Sequence, residues 1–148
     1  MEIYRLRSGD ASKMQELSSL FKRVFEMEVS EPASENYCEQ ILKNENSIYL
    51  VAEENTQIVG GLSAFLMPFV HGNSEIFVYD LAVEENLQRK GIGTQLMQKL
   101  KEISVELGAD GIIIPAENED DHAIKFYNKT GGEGNDEVTL FWYLTKTK

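Results

Sequence analysis

One stretch constrains this chain more than any other: an apolar strand pattern that runs into two glycines and then into a helix. The run Glu75-Ile76-Phe77-Val78-Tyr79-Asp80-Leu81-Ala82-Val83 is apolar and β-branched up to Val83. A short acidic turn follows, then Gln88-Arg89-Lys90-Gly91-Ile92-Gly93-Thr94, then an amphipathic helix pattern. Two glycines at the mouth of a helix let a bulky anion approach the backbone without Cβ collisions. The first turn of a helix offers unpaired N–H groups and the positive end of its dipole. Together these predict a phosphate site built from backbone. The stretch is not the phosphate loop of nucleotide hydrolases, because no Gly-Lys-Ser/Thr follows. Nor is it the dinucleotide fingerprint, whose third glycine is missing.

The rest of the chain supplies a frame for that loop. Alternation over residues 2–7 fits an opening strand. Met14, Leu17, Leu20, Phe21, Val24 and Phe25 fall at helical spacing, with Asp10 or Ser12 as cap and an end near Met27. Residues 29–34 contain Pro32 and read as a loop. Ser34 then caps a second helix burying Tyr37, Cys38, Ile41 and Leu42. Strands are predicted over residues 47–53 and 58–70, joined by a hairpin turn. Gly60 and Gly61 within the second point to a bend or a close backbone approach. The third strand of this meander is the run that ends at Val83. After the glycines, Leu96, Met97, Leu100, Ile103, Val105 and Leu107 mark a helix that stops at Gly108. Ile112, Ile113 and Ile114 predict a strand paired in parallel and buried on both faces. A last helix places Ala123, Ile124, Phe126 and Tyr127 inward, and residues 138–144 read as a closing strand. The expected fold is α+β with a mixed sheet: an antiparallel meander, a βαβ crossover, a C-terminal helix and a final strand. It forms one domain over residues 1–148.

Charge and cysteine content narrow the partners. The net charge of −11 disfavours nucleic acid, which needs a basic face. A cationic small molecule suits it better, although acidity also serves solubility alone. Cys38 is the only cysteine, so no internal disulfide forms, and the cytoplasm is the expected compartment. No signal peptide or membrane-spanning run is read. With two histidines and one cysteine, no metal site of ordinary spacing is expected.

The order strand, turn, Gln88-x-x-Gly91-x-Gly93, long helix, strand, tyrosine-bearing helix resembles the GNAT superfamily of acetyl-CoA-dependent N-acetyltransferases. Ser74 through Val83, the glycine loop, the stretch Ile58 to Phe65 with Leu66 and Pro68, and the pair Asp120-Asp121 before Ala123 look like the class I aminoglycoside 3-N-acetyltransferases. The resemblance runs from the first helix to Tyr127. It departs at His122, where those enzymes tend to have proline, and at Thr130-Gly131-Gly132-Glu133-Gly134-Asn135.

The resemblance implies a set of roles. Backbone at Leu81, Ala82 and Val83 would pair with the pantetheine arm of acetyl-CoA, beside a bulge that splays the strand. The N–H groups of Arg89, Lys90, Gly91, Ile92, Gly93 and Thr94 would take the diphosphate. Asp120 lies where relatives often contact the cofactor through asparagine; an ionised aspartate can only accept. Tyr127, in Ala123-x-x-Phe126-Tyr127, would protonate the leaving thiolate. Asp80 would face the acceptor as base or as anchor for its ammonium, with Glu75 and Glu119 as competitors. Glu26, Glu28 and Glu31 in the loop after the first helix, with Glu117, Glu119, Asp120 and Asp121, would meet a cationic acceptor. That acceptor would be an aminoglycoside, or else another polyamine, an amino sugar or a protein lysine. A non-catalytic acyl-CoA sensor is the rival from another class. Family members are often dimers, so a homodimer is expected.

Overall fold

Strand and helix formation follow the apolar periods closely. The protein is described here by a computed structural model over residues 1–28 and 31–146. In the unit Met1–Pro115, the elements run β1 (Glu2–Arg5), α1 (Ala11–Val24), α2 (Glu35–Leu42), β2 (Ser47–Glu54), β3 (Gln57–Pro68), β4 (Ser74–Val83), a single 3-10 turn (Glu85–Leu87), α3 (Ile92–Glu106) and β5 (Ile112–Ile113). The sheet order is β1-β2-β3-β4-β5. Its first four strands pair antiparallel, and β5 pairs parallel to β4. The fold is therefore α+β with a mixed sheet, as the sequence pattern predicts.

Gly60 and Gly61 show how the sheet is covered on both faces. Successive strand residues point to opposite sides. A Cβ on Gly60 would come 3.1 Å from Ile92 Cγ2, at the start of α3. A Cβ on Gly61 would strike Leu17 Cδ1 of α1 and lie 2.8 Å from the Leu50 carbonyl oxygen. Each glycine thus admits a helix from its own side. Leu17, Leu20, Cys38, Tyr49 and Val51 pack into one core on the α1 and α2 face. Leu96 and Leu100, both fully buried, anchor α3.

The strand register breaks once in the middle of β4. Ser63 stands opposite Asp80, yet Ala64 stands opposite Val78, so Tyr79 is left over as a bulge. Tyr79 is correspondingly 73% exposed. The extra residue changes the parity of the strand. Phe77 lies across from Phe65 and Asp80 across from Ser63, both on the α1 and α2 face. Without the bulge, Asp80 would point toward α3.

Several boundaries differ from the sequence reading. Helix α1 stops at Val24 rather than near Met27, because Glu26 turns left-handed (φ 51°) and Met27 N–H donates back to the Lys22 carbonyl (3.0 Å). Asp10 occupies the cap position, but its carboxylate accepts from Arg7 N–H. The loop expected over residues 29–34 falls partly on Val29 and Ser30, which lie outside the described residues. Tyr37 is exposed, not buried, as are Val105 and Leu107. Strand β3 ends at Pro68, where the missing N–H breaks the ladder. Ile113, expected to be buried on both faces, is 43% exposed, because β5 forms the sheet's edge.

The unit Ala116–Lys148 contains α4 (Asp121–Lys129). Asp120 caps it, accepting from Ala123 N–H at 3.0 Å. Gly131, with φ 102°, and the Gly132 N–H bond to the Tyr127 carbonyl (2.8 Å) end it. The Gly131-Gly132 pair is thus a helix stop. The closing strand expected over residues 138–144 does not form in the described chain. Those residues have no regular structure.

Gly61→Ala is expected to lower unfolding stability by about 1–3 kcal/mol, because a methyl there meets a backbone carbonyl that cannot yield. Chemical denaturation checks this; an unchanged midpoint and slope would contradict it.

Candidate active site

The glycine stretch folds as a backbone cradle. Arg89 and Gly91 both adopt left-handed conformations, with φ of 64° and 88°. Arginine rarely does so, whereas glycine does so without strain. A Cβ on Gly91 would find open space. Helix α3 begins at Ile92, so Gly93 and Thr94 lie in its first turn rather than ahead of it. Gln95 N–H makes the first helical bond, to the Gly91 carbonyl (3.0 Å), and no side chain caps the helix. The N–H groups of Ile92, Gly93 and Thr94 therefore precede the ladder. Arg89, Lys90 and Gly91 are exposed. Gln88, whose role the sequence reading left open, donates from Nε2 to the Val83 carbonyl (3.0 Å), tying the loop to the strand end. Arg23 of α1 pairs with Glu84 just past that end.

Beside the cradle, one edge of β4 is open. Its parallel ladder with β5 holds Ile76 opposite Ile112 and Phe77 opposite Ile113, and goes no further. Among the described residues, no strand pairs with that edge over residues 78–83. Leu81, Ala82 and Val83 pair only with Leu62, Gly61 and Gly60 of β3. The unpaired edge leads directly into the loop at residues 89–94. An extended ligand bearing amides at one end and phosphates at the other fits this arrangement: amide groups along the edge and phosphates on the α3 N-terminus.

Asp80 sits on the face that the bulge selects. Its Oδ2 accepts a hydrogen bond from Ser63 Oγ at 2.5 Å. Burial pushes its carboxyl above the ordinary range, and the Ser63 hydroxyl opposes that rise. Tyr49 stands opposite Ser63 on the next strand, so Tyr49, Ser63 and Asp80 form one row across β2, β3 and β4. Burial raises the Tyr49 phenol, and the Asp80 charge adds to it. The Tyr49 ring meets Phe65 edge-on at 6.3 Å. Neither Ser63 nor Tyr49 was selected from the sequence. The available signal was a buried hydroxyl in an otherwise apolar strand. Glu75, opposite Met67, shares the face of Phe77 and Asp80. Glu28 and Glu31 are exposed in the connection between α1 and α2, and Glu26 is exposed at the end of α1.

In the second unit, Tyr127 lies half-buried on α4, its ring 5.4 Å from Phe126. Burial raises its phenol above the ordinary value, and the Asp120 charge raises it further. Such a group stays protonated through neutral pH and can donate. The Asp120 carboxylate is engaged as the cap of α4. Glu117, Glu119 and Asp121 are exposed around the turn that precedes it. His71 and His122 are exposed. Among the described residues, no group of three or more His, Cys, Asp or Glu is arranged to hold a metal, and no helix is long and apolar enough to cross a membrane.

A strand edge left open beside an uncapped, glycine-lined helix start offers backbone groups suited to an extended, phosphate-bearing ligand. Comparison with known proteins carries this to a family. Residues 14–132 match the Acetyltransferase (GNAT) family, and the chain belongs to it. The protein is an N-acetyltransferase of a family that uses acetyl-CoA. An uncharacterized N-acetyltransferase, YhfO of Bacillus subtilis (strain 168), is 23% identical over 134 residues, covering 90% of each chain. The crystal structure of an aminoglycoside acetyltransferase, meta-AAC0020, from an uncultured soil metagenomic sample in complex with sisomicin, superposes with a TM-score of 0.92. It is 31% identical, with 98% of this chain and 96% of that one covered. A second soil metagenomic aminoglycoside acetyltransferase, HMB0005, is 32% identical, with a TM-score of 0.89 and 98% of both chains covered.

Removing the Ser63 hydroxyl should raise the Asp80 carboxyl further, since that bond favours the ionised form. A carboxyl-carbon NMR titration checks this. Ser63→Ala should titrate at higher pH than the parent; an equal or lower midpoint would contradict the assignment.

Proposed function

We propose that the chain moves an acetyl group from acetyl-CoA to a primary amine of a cationic small molecule, an aminoglycoside acetylated at its 3-amino group. One observation carries this reading: the open β4 edge at residues 78–83 runs into the left-handed loop and uncapped start of α3, with Asp80 on the same strand. The acceptor class is supported by the net charge of −11 and by the sisomicin complex of the similar soil enzyme.

When bound, acetyl-CoA supplies an activated thioester. The chain's own residues do the rest. The amides of Arg89, Lys90, Gly91, Ile92, Gly93 and Thr94 hold the diphosphate, with the Arg89 and Lys90 side chains adding charge. The free edge at Leu81, Ala82 and Val83 aligns the pantetheine amides. Asp80 anchors the acceptor ammonium and, directly or through water, removes its proton so that the amine attacks neutral. Its raised carboxyl makes it a better base than an exposed aspartate. Tyr127 returns a proton to the departing sulfur, and Asp120, by capping α4, orients the helix that carries it. Glu75, Glu119 and Asp121, with Glu28 and Glu31, bind the remaining ammonium groups of the acceptor. A homodimer is the working assembly.

Free-thiol release from acetyl-CoA, measured against aminoglycosides, spermidine, amino acids and a lysine peptide, tests the reading. Turnover is expected with aminoglycosides. Turnover only with the peptide would assign a protein substrate, and CoA binding without turnover would assign a sensor. Tyr127→Phe should lower kcat by about 10²-fold, within the range for general acids, with little change in CoA affinity. Unchanged kcat would remove Tyr127 from the chemistry.

A further inference from the structure

We propose that a cavity between the end of β1 and the turn joining α2 to β2 binds a small, doubly charged oxyanion, a phosphate or a dicarboxylate. The site is independent of the acetyl-transfer reading. None of its lining residues belongs to the loop at residues 89–94, to the β4 edge or to the row of Tyr49, Ser63 and Asp80. The cavity measures about 330 Å³, at the small end of the range that small-molecule sites occupy. Arg5, Arg7, Lys43, Asn44 and Glu45 line it, together with the buried apolar Leu6 and Leu42.

Charge is what points to an anion. The chain has 25 Asp and Glu against 14 Lys and Arg, so carboxylate partners are plentiful. At this cavity, however, three cations meet one carboxylate, Glu45. Among the described residues, the ion pairs join Lys13, Arg23 and Lys99 to glutamates, and none involves Arg5, Arg7 or Lys43. Arg5 is half-buried. Burial lowers its proton affinity, the Arg7 charge lowers it further, and Glu45 opposes them. Among the described residues, Arg5 Nε is also the one buried side-chain nitrogen or oxygen without a hydrogen-bond partner. A guanidinium desolvated beside a like charge gains from an anion that compensates both. Lys43 offsets the negative end of the α2 dipole. That local role does not extend to Arg5 and Arg7.

The walls of the cavity are fixed by their own contacts. Arg5 Nη2 donates to the carbonyls of Glu45 (3.1 Å) and Ser47 (2.9 Å), so the end of β1 holds the turn. Ser8 Oγ and Gly9 N–H donate to the Glu39 carboxylate, which ties the residues after Arg7 to α2. Asn44 Oδ1 accepts from Asn46 N–H at 3.0 Å, and its Nδ2 keeps two donors. Guanidinium, ammonium and amide donors thus line one small cavity, and oxyanions take that set. Three cations against one carboxylate accommodate two negative charges, hence a phosphate dianion or a dicarboxylate rather than a monoanion.

Backbone amide NMR of the full chain tests this, with inorganic phosphate, succinate or chloride added at constant ionic strength. Coenzyme A is kept in excess so that phosphate is not drawn to residues 89–94. Phosphate or succinate at millimolar concentration should give saturable shifts at Arg7, Ser8, Lys43, Asn44 and Glu45, and chloride should not. Either anion satisfies the proposal, and the tighter one names the source. Arg7→Gln and Lys43→Gln, made separately at exposed positions, should each weaken binding by about tenfold with native far-UV circular dichroism. The absence of saturable shifts at these residues would overturn the proposal, as would equal shifts with chloride or an affinity unchanged in both variants. Shifts confined to residues 89–94 would overturn it as well, while leaving the diphosphate reading of that loop intact.

Discussion

The structure depends on backbone groups that the fold declines to pair. A strand in the middle of a sheet ordinarily spends both edges on its neighbours. Here β4 is paired with β3 along its length, but with β5 only through Phe77. The released edge continues, through one acidic turn, into a helix start whose first N–H groups meet no cap. Two adjacent sets of unspent donors and acceptors result, one suited to amides and the other to phosphate. The local devices around them hold this opening in place. Gln88 ties the loop to Val83, Arg23 pairs with Glu84, and Gly60 lets Ile92 seat α3 against the sheet.

The bulge at Tyr79 links that opening to chemistry. One extra residue changes which face Asp80 occupies. It brings the carboxylate into the row with Ser63 and Tyr49, where burial and a single hydroxyl bond set its proton affinity in opposition. An exposed aspartate would be nearly proton-blind at neutral pH, with a reference pKa near ~4. The cost of burying Asp80 is offset by its bond to Ser63, whose own burial leaves the hydroxyl little other use.

Much of this was legible in the sequence, and what was not has physical causes. The meander, the parallel β5 and the four helices followed from apolar period, because each element buries a distinct stripe. Gly60 and Gly61 were read as a close approach, and they admit Ile92 and Leu17. The parity change at Tyr79 was not readable from its own residues, since a bulge is a property of pairing between strands rather than of one strand. For the same reason Ser63 and Tyr49 escaped notice: their link to Asp80 exists only once the register is known. Glu26 ended α1 early in a conformation that no glycine announced. The apolar pattern at residues 138–144 reads as a closing strand, yet no regular structure forms there, because an apolar run alone does not supply the neighbouring strand that a ladder needs. The roles of Tyr127 and the acidic residues came from resemblance, and family membership over residues 14–132 supports the family they were drawn from.

The central claim is that main-chain amides at residues 89–94 grip the diphosphate of the acyl carrier. Backbone amide NMR with coenzyme A and with its dephosphorylated pantetheine fragment tests it directly. The account predicts large shifts at Gly91, Ile92, Gly93 and Thr94 with the full carrier only, and shifts at Leu81, Ala82 and Val83 with both. Binding that leaves residues 89–94 unmoved would contradict it.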